Sequence, residues 1–199
     1  MKTIETLNTE EADKLLIVLL SGYGKPGTKA KAVRNHTMAL LMLDAGLRVG
    51  EVVRLRMCDL ITNGNLVESL IIPWQITKNK SERTVPLSLR LRTALGVHLL
   101  PVYKEHPETF CDPIFFCRDY TKPITVRQVE NIIKQAGQKA IGRDIHPHVL
   151  RHTFATRLMR QTNIRVVQQL LGHKSISSTQ VYTHPNSEDL TNAIEAISS

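Results

Sequence analysis

The spacing of apolar residues changes once along this 199-residue chain, and that change limits the fold more than any other feature. Residues 66–87 are rich in Ile, Val, Trp and Thr, with turns marked at Asn63-Gly64 and around Asn79, which predicts a small antiparallel sheet. On both sides of it the apolar residues recur at helical spacing. A first helix, capped by Thr9, carries Leu15, Leu16, Leu19 and Leu20 on one face and stops at Ser21-Gly22. Residues 35–45 form a buried helix ended by Gly46, and residues 49–54 a short one that leaves Arg48 at its entrance. Beyond the sheet, helices are expected over 88–100, 126–141, 147–161 and 164–171, the third with Pro147 in its first turn and the fourth stopped by Gly172. Short helices over 179–183 and 187–197 complete a fold that is mainly α with a small antiparallel β-sheet (α+β), in a single domain over residues 1–199.

With 42% hydrophobic and 22% charged residues, the chain is neither disordered nor collagen-like. A chain of this length buries roughly 70% of its unfolded surface, so its core needs no disulfide or metal staple. Cys58, Cys111 and Cys117 are odd in number and lack Cys-x-x-Cys spacing, and no hydrophobic leader opens the chain, which points to a reducing, cytoplasmic setting. Apolar runs such as residues 38–43 fall far short of the ~20 residues of a membrane helix. The net charge of +8 is unevenly spread: residues 1–20 and 175–199 are acidic on balance, leaving residues 21–174 at +13. Such a field favours a polyanionic partner.

The densest chemistry lies in His146-Pro147-His148-Val149-Leu150-Arg151-His152, where helical spacing puts His148 on one face with Arg151 and His152. Two His at i and i+4 can hold zinc, but the accompanying Glu is missing and Arg151 would repel the ion. A guanidinium fork and a neutral imidazole suit phosphate oxygens and proton transfer instead. Further on, Leu170-Leu171-Gly172-His173 is followed nine residues later by Tyr182. A phenol of pKa ~10 is a poor nucleophile unless cations and a proton acceptor surround it, and this chain supplies both.

Gly46-Leu47-Arg48-Val49-Gly50-Glu51, the His148 to His152 string, Leu-Leu-Gly-His173 and Tyr182, in this order and spacing, resemble the catalytic domain of the tyrosine recombinases, or phage integrases. The resemblance runs from about Leu7 to the C-terminal helix and implies that fold. It implies that Arg48 and Arg151 hold the scissile phosphate, that His148 and His173 assist by hydrogen bonding and proton transfer, and that Tyr182 attacks. It also implies a general-acid lysine in the β-turn: Lys78 best matches its place before Glu82-Arg83-Thr84-Val85-Pro86-Leu87, with Lys80 as competitor. The implied activity is site-specific cleavage and rejoining of double-stranded DNA through a 3′-phosphotyrosyl intermediate (integration, excision or inversion), without metal, ATP or another cofactor, at the nucleoid.

That reading agrees with elementary chemistry. In-line attack on a phosphodiester builds charge on the equatorial oxygens and the departing alkoxide, so it demands preorganised donors and an acid. A two-metal nuclease would need clustered carboxylates, whereas Asp44 and Glu51 merely flank Arg48, and Glu51 is expected to orient Arg48 or cap its helix. Arg54, Arg56, Arg83, Arg127, Lys134, Arg157 and Lys174 are candidates for DNA-backbone contacts. Relatives carry an N-terminal clamp domain that residues 1–199 are expected to lack, either as a solitary-domain form resembling the fimbrial phase-variation invertases or as a catalytic fragment of a longer protein. Self-association on DNA is the expected remedy, with Leu190, Ala193, Ile194 and Ile197 of residues 187–197 as an apolar face that docks either on a neighbouring protomer or on its own domain. The alternative is a DNA-binding regulator that shares the fold and does not cleave.

Overall fold

Helix α1 (Thr9–Leu20) starts where the Asn8 side chain accepts the amide of Glu11 at 2.8 Å and the Glu11 carboxylate accepts the amide of Asn8 at 3.0 Å. This reciprocal capping box makes Asn8 the cap and leaves Thr9, expected in that role, as the first helical residue. The computed structural model describes residues 4–21, 28–78, 80–106, 110–116 and 122–183. The expected helix over 187–197 lies outside the described residues, as do Cys117 and Asn79.

Helix α2 (Thr28–Asp44) begins seven residues earlier than its apolar run suggested, because its first turns are amphipathic and its buried stretch comes last. Six consecutive residues, Met38 to Leu43, are buried, so this helix is covered all round. It packs against α1, α4 (Leu89–Glu105) and α6 (Pro147–Met159). Helix α4 runs through Pro101 instead of stopping before it. Leu91, Leu95 and Leu99 anchor one face in the core, and Val102 and Tyr103 continue that packing beyond the proline.

The β region resolves into two hairpins. Strands β1 (Ile61–Thr62) and β2 (Asn65–Leu66) flank the Asn63-Gly64 turn, and β3 (Ser69–Ile72) pairs antiparallel with β4 (Arg83–Pro86). In β4 the alternation turns Arg83 and Val85 inward. Helices α5 (Val126–Ile141) and α7 (Ile164–Leu171) have the bounds their periodicity predicts, and left-handed Gly142 and Gly172 end them. A main core joins α1 to α6 with the strands, and a smaller cluster of Ala155, Val167 and Leu171 gathers Phe154, Leu158, Met159 and Tyr182 around it. The last helix among the described residues, α8 (Ser177–Gln180), starts two residues and ends three residues earlier than expected, so Tyr182 stands in the turn that follows it.

The loop after α2 fixes Arg48. Gly46 has φ +62°, and a Cβ there would sit 2.4 Å from Phe154 Cδ1 and 3.2 Å from Leu171 Cδ2. Gly46→Ala therefore meets both left-handed strain and a clash, and we expect a loss of about 2–3 kcal/mol. Thermal unfolding should show Tm lowered by roughly 5–10 °C.

Candidate active site

Glu51, 1% exposed, lies one turn into α3 (Val49–Val52), and its charge favours the cationic form of Arg151. Its Oε2 accepts the backbone amide of Arg48 at 2.8 Å and its Oε1 the Arg48 guanidinium at 3.2 Å. Arg83 donates to both carboxylate oxygens, at 2.9 and 2.6 Å, and its Nε donates to the carbonyl of Leu170 at 3.0 Å. Burial pushes the Glu51 carboxyl up, but hydrogen bonds and charge from Arg83, the Arg48 amide and the Arg151 charge overcome it and hold the pKa below its ordinary value. Glu51 thus orients Arg48, as its position three residues on predicts. Arg83, expected at the DNA backbone, is instead buried at 6% exposure with its fork committed to Glu51. The inward alternation of β4 was the signal that could have found it.

Arg151 projects from α6 into the same centre. Its Nη1 donates to the carbonyl of Gly46, and Nη2 donates to the carbonyl of Leu171 at 2.8 Å and meets His173 Nε2 at 3.4 Å. Of five guanidinium N–H groups, these use three and leave Nε–H and one Nη1–H. Burial, then the charges of Arg48 and Arg83, push its pKa down to about 9 against the pull of Glu51, so it stays cationic at neutral pH. His173 Nδ1 lies 2.9 Å from Thr179 Oγ1. With Nε2 turned to a guanidinium, the consistent assignment is Nδ1–H donating to Thr179. Burial and the charges of Arg151, Arg48 and Arg83 lower the His173 pKa to about 4, so the ring is neutral until an anion joins it.

Tyr182 Oη lies 2.8 Å from His152 Nδ1, and their ring centroids are 5.6 Å apart. Burial raises the phenol pKa, and the charges of Arg151 and Arg48 oppose that rise without overcoming it. His148, one turn before His152, has its ring centroid 6.3 Å from that of His152. Desolvation followed by the charges of Arg151 and Arg48 lowers its pKa. Arg48, His148, Arg151, His173 and Tyr182 are thus drawn together from four separate stretches of chain. Lys78 and Lys80 are not bonded to this group: both are exposed in the connection between β3 and β4, where Lys80 has φ +48°. Beside His173 an open cleft of about 580 Å³ lies between β4 and α7, lined by Glu82, Arg165, Gln168 and Lys174 among others. Among the described residues no three or more His, Cys, Asp and Glu gather as a metal site, and no helix is long and apolar enough to cross a membrane.

Residues 5–189 match the model of the phage integrase family. The chain belongs to the phage integrase family. Among curated relatives, it is 31% identical over 96% of its length to tyrosine recombinase XerC of Pseudomonas syringae pv. syringae and 32% identical over 98% to tyrosine recombinase XerA of Pyrococcus furiosus. It spans 60% and 62% of those proteins. The crystal structure of XerA recombinase superposes with a TM-score of 0.75 at 27% identity, covering 98% of this chain and 66% of that one. The fold of this integrase-family chain is that of a tyrosine recombinase catalytic domain, mainly α with small antiparallel hairpins.

The buried pair of Glu51 and Arg83 generates a test of this integrase-family core. Glu51→Gln leaves Arg83 buried without its counter-charge and should cost about 3–5 kcal/mol. Because the folded pKa of Glu51 lies below the ordinary 4.5, its stabilisation is full above that value and is lost as pH falls through the folded pKa. Urea unfolding across pH should show a wild-type advantage that is constant near neutrality and shrinks below about pH 4.5.

Proposed function

We propose that this chain is one catalytic unit of a site-specific DNA recombinase, acting on double-stranded DNA in the cytoplasm, at the nucleoid. The observation that carries the reading is that consecutive residues of α6 hold the two halves of the site: Arg151, which meets His173 at 3.4 Å, and His152, whose Nδ1 lies 2.8 Å from the Tyr182 phenol. In this reaction the phenol oxygen attacks the scissile phosphorus and the bond to the 5′ oxygen breaks. The free N–H groups of Arg151, with Arg48, hold the nonbridging oxygens, and His148 and His173 assist by hydrogen bonding and proton transfer. Lys78, with Lys80 as competitor, delivers the proton that the departing 5′ oxygen needs. The phosphotyrosyl ester keeps the energy of the broken bond, so a 5′ hydroxyl reverses the step without ATP, and no metal enters the scheme.

Three guanidinium groups around a single carboxylate leave this centre with a local excess of two positive charges, which suits a phosphodiester and its developing charge. The relatives' names supply the reaction class, and the basic field of residues 21–174 suits the DNA backbone. Residues 187–197 are proposed to join protomers on DNA.

A DNA substrate nicked near the crossover traps the intermediate. Wild type should form a covalent adduct and Tyr182→Phe should form none while still binding DNA. Binding without an adduct in the wild type would make the chain a non-cleaving regulator, and an adduct in Tyr182→Phe would move the nucleophile elsewhere. Lys78→Ala should slow cleavage by at least about a hundredfold on ordinary DNA and recover with a 5′-thiol leaving group, which needs no acid. Recovery seen in Lys80→Ala alone would transfer the role.

A further inference from the structure

The reaction needs somewhere for the phenolic proton to go, and among the described residues neither His148 nor His173, the histidines that the resemblance assigns to proton transfer, is hydrogen-bonded to Tyr182 Oη. His173 is committed through Nε2 to Arg151 and through Nδ1 to Thr179. Glu51 is occupied by Arg83 and Arg48. Among the described residues the one hydrogen-bond partner of Tyr182 Oη is His152 Nδ1, at 2.8 Å.

We propose that His152 is a further catalytic residue, taking the proton of Tyr182 as the phenol attacks and returning it on rejoining. The inference rests on the recombinase reading. As the O–P bond forms, the Oη–H proton passes to Nδ1, the bond to the 5′ oxygen breaks with its electron pair, and the general acid protonates that oxygen. In the reverse step the 5′ hydroxyl gives up its proton to that same acid, now deprotonated, and the departing phenolate takes one from the His152 imidazolium.

The surroundings suit an acceptor that is empty at the start. The groups that face His152 are His148 and Arg151 on its own helix, with Tyr182 and His173 across from it. Burial, then His148 and Arg151, lower its pKa, so at neutral pH the ring is uncharged and can accept. A phosphate bound by Arg151 adds the negative charge that favours imidazolium, and the acceptor becomes stronger when the substrate is in place. Position adds a second reason. His152 follows Arg151 directly on α6, so the helix that holds the phosphate-binding arginine also holds the base, and the two move as one body. The ring contact at 5.6 Å and the packing of Tyr182 on the Ala155, Val167 and Leu171 cluster keep the phenol beside that base.

The test uses the full chain and the nicked substrate in single turnover. His152→Asn keeps a hydrogen-bond acceptor near the place of Nδ1 but cannot carry the proton. Adduct formation at pH 8 should slow by about a hundredfold or more, with DNA binding unchanged. Below the imidazole pKa the wild-type ring is already protonated, so the ratio of wild-type to variant rates should shrink as pH falls. Equal rates, or a ratio independent of pH, would overturn the proposal, since a side chain that merely positions the phenol gives the second result. If circular dichroism shows His152→Asn unfolded, His152→Gln supplies the same ratio. A wild type that forms no adduct sinks the recombinase reading and this proposal together, whereas an active wild type with an equally active variant sinks this proposal alone.

Discussion

The site depends on one buried anion. A carboxylate with 1% exposure loses several kcal/mol of hydration, and Glu51 is stable there because its oxygens accept from Arg83 twice, from the Arg48 guanidinium and from the Arg48 amide. The converse matters more for function. Three guanidinium groups packed around empty space would repel one another, and the charge of Glu51 is what lets Arg48, Arg83 and Arg151 share the centre while leaving it net positive. Arg83 is thereby a scaffold residue: it occupies Glu51 from the strand side, while Glu51 holds Arg48 by both its amide and its guanidinium.

Helix ends supply the second set of fixings. The carbonyl of Gly46 follows the end of α2, and those of Leu170 and Leu171 end α7. The two α7 carbonyls lack intrahelical partners and carry the negative end of that helix's dipole, and that of Gly46 lies in the loop beyond α2. Arg151 takes Gly46 and Leu171, and Arg83 takes Leu170, so orphaned acceptors become ties between α2, α6, α7 and β4. Gly172 matters here for the same reason. Its left-handed φ of +64° ends α7, and a Cβ would meet Arg83 Cδ at 2.9 Å, so the close passage of that arginine requires a residue without a side chain.

Electrostatics explains why the centre waits with its histidines and its phenol uncharged, apart from the arginines and Glu51. Burial and the surrounding cations keep His148, His152 and His173 neutral at physiological pH, and burial keeps the Tyr182 phenol protonated against the pull of Arg48 and Arg151. A phosphate reverses the balance by adding the missing negative charge. Proton transfers thereby become favourable when a substrate is bound, which couples chemistry to binding without a moving part.

Much of this was legible in the chain itself. The helices over 126–141 and 164–171, the glycine stops at 46 and 172 and the place of Arg48 at a helix entrance follow from local rules of periodicity, capping and left-handed backbone, so the sequence alone determined them. The pairing of Glu51 with Arg48 is likewise local, three residues apart on one helical turn. Thr9 lost the cap to Asn8 because two neighbouring residues can each cap and only the reciprocal Glu11 bond decides. Arg83 with Glu51, Arg151 with the ends of α2 and α7, and His152 with Tyr182 join residues 20 to 105 positions apart. No periodicity carries such pairings. They exist only once α2, α6, α7 and β4 close on one another, because a charge or a proton acceptor is selected by what lies within a few ångströms in space, and the tertiary structure alone sets that distance.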